Sequence, residues 1–377
     1  VDLELSDEQQ RVREKVQHFV QTELLPVAKQ IDRERRIPRA VIASMATQGV
    51  WGLPIPCLFG GLGMGSLDSA EVIKTLALAC ASTAAMVSLQ HNFISAPIAR
   101  FGSELQRHTY LPALAKGQQL GCWALAEETA GEELTMLETS ATSEGEEVIL
   151  RGTKTFVTCG AEADLAIVFA RLVGSADPSV FLVPIQSSGI SISPAYDTLG
   201  LRGLRVVTLT LDGVRIPKTN LLGGLGRGPE IARYVFEGAR IGVAALCTGI
   251  HTGVLNFIAT HALTTSIHGD RLSDRQDVQF RLAEMSMECD AGRMLFEKAA
   301  VMRDKGLSTL AESAMAKMIA SESASRAAAA AINIAGGRGI LAELPLERFL
   351  RDAKNTEVCL GTGEVLRLTI ASTLLKE

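Results

Sequence analysis

Aromatic rings are scarce in this sequence: they make up 5% of the 377 residues, with two tryptophans and three tyrosines. No basic patch interleaved with aromatics is present, and the formal charge is −5. Both features argue against a nucleic-acid or polyanion binder. The seven cysteines, Cys57, Cys80, Cys122, Cys159, Cys247, Cys289 and Cys359, are odd in number and never in CxxC spacing. That pattern gives neither a disulfide framework nor a zinc site, and implies reduced, mostly buried thiols. The histidines form no metal or triad constellation. No uninterrupted apolar run reaches the ~20 residues that cross a bilayer. The start, VDLELSDEQQ, is acidic, unlike a secretory signal or a transit peptide. The expectation is a cytoplasmic protein with no metal and no membrane partner.

What is present is a well-packed composition, 47% hydrophobic and 21% charged. The length predicts two or three cooperating domains. Residues 1–119 read as helices. Ser6 with Glu8 and Gln9 marks a helix start, followed by apolar residues at helical spacing (Val12, Val16, Phe19, Val20). Pro26 interrupts that helix or starts the next, and residues 68–90 and 92–117 read as two more. Residues 120–225 change character. VILRGTKTFVTC, ADLAIVFARL, SVFLVPI and VVTLTLDGVRIP are short runs bounded by turn residues, which predicts a small antiparallel sheet or barrel. Residues 226–377 return to long helices, one of them alanine-rich at 327–331. The class is α+β, mostly α. This order excludes a doubly wound βαβ sheet. GGLGRG (223–228) therefore reads as a connector into a helix, not as a dinucleotide loop.

Several stretches, in this order and spacing, carry a resemblance. They are LSDEQQRVREKVQHFVQTELLP, GGLGMGS, HNFISAPIARFGSELQRHTYLPALAKGQQLGCWALAEETAGEEL, GTKTFVTCGAEADLAIVFAR, LGLRG with DGVRIPKTNLLG, INIAGGRGI, ERFLRDAKNTEV and GTGEVLRL. Together they resemble the acyl-CoA dehydrogenase family of flavoproteins over nearly the whole chain. The resemblance implies an N-terminal helical domain, a middle β-barrel and a C-terminal four-helix bundle. It further implies FAD, an acyl thioester substrate on CoA or a carrier protein, and a homotetramer or homodimer with FAD partly bound across a subunit interface. Electron-transfer flavoprotein or oxygen would accept the electrons. The reaction removes an α-proton and a β-hydride from the acyl group, so it needs a polarised carbonyl and a base within about 3 Å of the proton.

The sequence departs from the family at the base. The YEGT-like motif reads CLGT, with Leu360 at the glutamate position and Gly361 after it. The alternative base position, before Arg240 in EGAR, is Ala239. Glu364, four residues on, lies about 6 Å along a helix axis and is too far to substitute directly. Glu237, one turn before Arg240, matches a substrate-contacting position, with an ordinary polar contact as the competing reading. The family's TEPxAGSD loop reads AEETAGEE, with Ala126 for threonine, Glu128 for proline and Glu132 for serine. Glu132 is thus the candidate base, and the retained Arg240 is the second catalytic candidate; the competing reading places Glu132 in water. Cofactor contacts are implied at Ala126, Glu132, Phe156 (for tryptophan), Thr158, Asn333 (for glutamine), Gly336, Gly337, Thr362 and Glu364. Substrate contacts are implied at Glu237, Arg240, Leu360 and Gly361. The RxQFG segment reads TSIHG, so Thr265 and His268 remove a positive charge near the pyrophosphate. Without a standard base, the alternatives are monooxygenation, decarboxylation, a non-redox rearrangement, or a silent thioester-binding homologue.

Overall fold

The computed structural model describes residues 6–175 and 177–375. The acidic residues 1–5 lie outside them. The first part is helical: α1 (Asp7–Phe19), α2 (Leu25–Glu34), α3 (Arg39–Thr47), α4 (Ser66–Ala77), α5 (Ala81–Ser88), α6 (Ala96–Phe101) and α7 (Glu104–Ala115). Ser6 starts α1 through a capping box with Gln9, which satisfies orphan donors at both residues. Pro26 lies in the first turn of α2, where its missing N–H costs nothing. A π-helical turn (Val20–Leu24) joins the two helices. The two long helices expected over 68–117 are each divided. Cys80 is extended before α5, and Gly102 ends α6 because a Cβ there would meet Ile98 O at 2.4 Å.

Eight strands follow: β1 (Gly121–Ala124), β2 (Ser140–Glu144), β3 (Glu147–Val157), β4 (Leu165–Leu172), β5 (Ser179–Pro184), β6 (Ile190–Ile192), β7 (Val207–Pro217) and β8 (Leu221–Leu222). They form one sheet in the order β6-β7-β3-β2-β4-β5-β8, with β1 also on β4. The pairing is mixed and not wholly antiparallel, as the sequence had suggested. β4 takes β1 and β2 in parallel, because long connections return the chain in the same direction. Alternation along β4 divides the apolar residues between two cores. Ala166, Val168 and Ala170 fill the sheet's own interior, whereas Leu165, Ile167 and Phe169 join the helical core.

GGLGRG forms the connector expected, running from β8 into α8 (Gly228–Thr264). A small hairpin, β9 (Ser266–Ile267) and β10 (Asp270–Arg271), precedes α9 (Gln276–Asp304), α10 (Leu310–Ala335), α11 (Leu346–Val358) and α12 (Gly363–Leu374). The expectation that no segment is apolar and long enough for a bilayer fails at α8. Its 37 residues meet that test on length and mean hydropathy, although polar residues such as Thr248, His251 and Asn256 break up its apolar runs. The helix is apolar because it is the axis of the bundle, with α4, α9, α10 and α11 packed round it.

Candidate active site

Four pieces of chain converge where the sheet meets the bundle. The first is the loop after β1. Glu127 and Gly131 exchange both backbone hydrogen bonds, at 3.0 and 2.8 Å, closing a small hairpin. Gly131 has φ +55°, a left-handed value that suits glycine. The hairpin is anchored by a buried ion pair. Lys154 Nζ, from β3, donates to Glu127 Oε1 at 2.6 Å and to Leu125 O at 3.1 Å. Glu127 also accepts from the Glu138 and Thr139 amides. Burial raises the Glu127 carboxyl, but bonds from Lys154, Thr139 and the Glu138 amide bring it below its ordinary value. Burial lowers Lys154 to about 8 against the pull of Glu127.

The second piece is the end of β3. The Thr155 amide donates to Ala126 O at 2.9 Å, tying strand and loop together. Phe156 has φ +52° and is 68% exposed, and its ring stacks on Tyr196 at 5.5 Å. Thr158 is half-buried. An exposed aromatic on a strained backbone marks Phe156 as a candidate ligand contact, because such strain clusters at functional sites.

The third and fourth pieces are the middle of α8 and the turn between α11 and α12. Arg240 is buried, and its Nε donates to Leu360 O at 3.3 Å. Leu360 has φ +58° and is buried, and Gly361 has φ +104°. Glu132, one residue beyond the hairpin, faces the same space. Its surface is open to solvent, yet the surrounding walls desolvate it and raise its carboxyl, while Arg240 pulls it down. Glu132 in turn raises the Cys359 thiol, which burial has already raised and Lys317 lowers. Among the described residues no ion pair holds Glu132 within 4 Å, so its carboxylate is free.

Not every expected site residue joins this cluster. Glu237 Oε2 accepts from the Thr309 amide (2.9 Å) and hydroxyl (3.1 Å), capping α10. Glu364 is exposed on α12 and lowered by a hydrogen bond with Thr362, away from the Leu360 side chain. Asn333 lies near the end of α10 and Gly336 and Gly337 just past it, about 24–30 Å from Lys317 at 1.5 Å per residue. Gly336 has φ +61°, and a Cβ on either glycine would meet nothing within 4 Å, leaving an open ledge. Thr265 and the exposed His268 lie at the end of α8 and in the hairpin after it. Arg338 acts there, lowering His261 further after desolvation has done so. One chain thus carries two separated surfaces.

Two site residues carry no motif. Trp123, in β1 just before the loop, is buried, and among the described residues its indole Nε1 has no partner. Lys317 is a single cation within the small-residue run AMAKMIAS of α10, and that isolation is the signal it offered. The unpaired indole donor and the exposed aromatic pair fit a flat, oxygen-rich ring, and the separate glycine ledge leaves room for an extended tail.

Family models for the N-terminal, middle and C-terminal domains of acyl-CoA dehydrogenase match residues 6–118, 122–214 and 226–375. The chain belongs to the acyl-CoA dehydrogenase family. It is 35% identical to the mitochondrial short-chain specific acyl-CoA dehydrogenase of Mus musculus, over 99% of this chain and 92% of that protein. The butyryl-CoA dehydrogenase structure from Megasphaera elsdenii superposes with a TM-score of 0.95 at 30% identity, covering 100% of both chains. The prolyl acyl carrier protein oxidase AnaB superposes with a TM-score of 0.94 at 29% identity, over 99% of this chain and 100% of that one. As an acyl-CoA dehydrogenase family member, the chain is a flavin oxidoreductase acting on CH–CH groups, and homotetramers are typical of the family.

Proposed function

We propose that this protein oxidises an acyl thioester to its α,β-unsaturated form, with Glu132 in place of the missing base at position 360. The observation that carries the reading is the free Glu132 carboxylate, coupled to Arg240 and to Cys359 beside the Leu360 turn. Desolvation raises the carboxyl, which makes it a stronger base than an ordinary glutamate. Glu132 takes the α-proton and becomes a neutral acid. FAD, when bound, would supply the acceptor for the β-hydride. Phe156, Tyr196, Trp123 and Thr158 would hold the ring system. The ledge at Asn333, Gly336 and Gly337 would serve the FAD of a second copy, because it lies too far along α10 from Lys317, which touches the Leu360 turn. The thioester is carried on CoA or on a carrier protein, the latter in keeping with the likeness to the prolyl acyl carrier protein oxidase AnaB.

The test is Glu132→Gln with a panel of acyl-CoA and acyl-carrier-protein thioesters, read as bleaching of the visible flavin band. Glu132 makes no ion pair, so the variant should keep its FAD and its melting temperature. Loss of a positioned base should slow bleaching by about 10²–10⁴-fold. A rate within about threefold of wild type, against that expected range, would remove Glu132 from the mechanism.

A further inference from the structure

Lys317 is 1% exposed, and no carboxylate lies within 4 Å of it among the described residues. A buried ammonium without a counter-ion is expensive, so its retention needs a cause. Its Nζ donates to Glu357 O at 2.8 Å and to Gly361 O at 2.9 Å. Those carbonyls lie on either side of Leu360. The carbonyl between them, Leu360 O, accepts from Arg240. The Cys359 thiol donates to Asn355 O at 3.3 Å, closing the end of α11. Two cations from two helices thus grip consecutive carbonyls of one turn. A left-handed leucine is strained and needs such over-determination to persist.

We propose that Lys317 is a positioning residue of the thioester site, holding the Cys359–Gly361 turn, with Arg240, in the form that fits the substrate. The role rests on the thioester-oxidation reading above. The grip depends on charge. Burial lowers the Lys317 pKa and Arg240 lowers it further, while Cys247, Cys359 and Glu357 raise it. These are the titratable groups facing it from α8, the turn and α11. Loss of its proton removes a donor and weakens the hold, so turnover should fall on the alkaline side.

The experiment compares Lys317→Arg and Lys317→Met with wild type in two measurements. The first is amide hydrogen exchange of residues 359–362 without substrate. Lys317→Met should exchange faster there and nowhere else in α11 or α12, and Lys317→Arg should stay protected. The second is the pH profile of flavin bleaching. Lys317→Met should lose kcat by about 10²-fold at unchanged KM, the usual result of a small misplacement. Lys317→Arg should remain active with its alkaline limb displaced upward, because a guanidinium keeps its proton. Unchanged exchange in Lys317→Met, or an alkaline limb that does not move in Lys317→Arg, would overturn the proposal. If the wild type bleaches with no thioester, the functional reading fails, and the exchange measurement still decides whether Lys317 holds the turn.

Discussion

Leu360→Glu asks whether the turn is still a working platform that merely lacks its carboxylate. Leucine and glutamate share the same Cβ geometry, so the left-handed φ of +58° costs both about the same. The side chain would enter a space where leucine is 9% exposed. Burial there would raise the new carboxyl, and Arg240 and Lys317, at 3.3 and 2.9 Å from adjacent carbonyls, would lower it. Glu132 adds a like charge, so one of the two carboxylates takes up a proton more readily than alone. A base placed this way contributes about 10²–10⁴-fold, equal to roughly 3–5 kcal/mol of barrier. The assay is rapid mixing with simple saturated acyl-CoAs, followed by the flavin band. In the Glu132→Gln background the new carboxylate should accelerate bleaching by at least about 10²-fold, the low end of that range. With Glu132 present the gain should be smaller, because either carboxylate suffices. No acceleration in a folded, FAD-loaded variant would refute the idea that cations and turn remain catalytically arranged.

Glu127→Gln leaves the Lys154 ammonium buried without its anion and should cost about 3–5 kcal/mol in denaturant unfolding, as broken buried pairs do. Glu127→Leu/Lys154→Met removes both charges and should recover much of that loss; equal damage in both variants would show that packing dominates. His91 sits in the core with the Ser69 hydroxyl at 2.6 Å from Nδ1, and its Nε2–H donates to Val50 O at 2.7 Å. That network suits a neutral ring, and burial lowers its pKa to about 4. The folded pKa lies below the unfolded one, so the stability is present above about pH 6.5 and is lost as pH falls towards 4, by about 3 kcal/mol. Asp352, raised by burial to about 6, acts in the opposite sense over part of that range. The quantity to read is therefore the difference between wild type and His91→Gln across the acid range. A difference that does not change with pH would dismiss the role of His91.

The architecture was legible because period and punctuation agreed over long segments. The Ser6 box, the first-turn Pro26 and the shift to β-rich runs after residue 120 are local signals, and local signals survive tertiary context. Strand direction was not legible. Nothing within GCWA or SATSE says that each pairs in parallel with β4, since that depends on where the connecting loops return. The site was half legible. Leu360, Arg240 and Glu132 were visible as substitutions in known patterns. The partner of Glu237 was not legible, because Thr309 is 72 residues away and meets it only when α8 and α10 pack. Lys317 and Trp123 were missed for the same reason: burial without a partner is a property of the fold, not of a motif.

A base on a loop is a weaker device than one on a turn clamped by two helices unless the loop is itself fixed. Here the fixing is close at hand. The mini-hairpin closes at Gly131, so Glu132 leaves it from a backbone already held by two hydrogen bonds. The opposite strand of that hairpin is Glu127, and Glu127 is held by Lys154 and by two amides. Glu132 is thus one residue from an anchor that reaches the buried side of β3. Position, more than basicity, sets the rate of proton transfer, and a displacement of about 1 Å costs on the order of 10²-fold. It follows that the buried pair bears on chemistry as well as stability. Glu127→Gln should lower kcat even at temperatures where it remains folded, with the loss falling on the step that Glu132 performs. A Glu127→Gln enzyme that melts early but turns over normally when folded would mean that Glu132 does not depend on its anchor, and the case for a relocated base would lose its structural support.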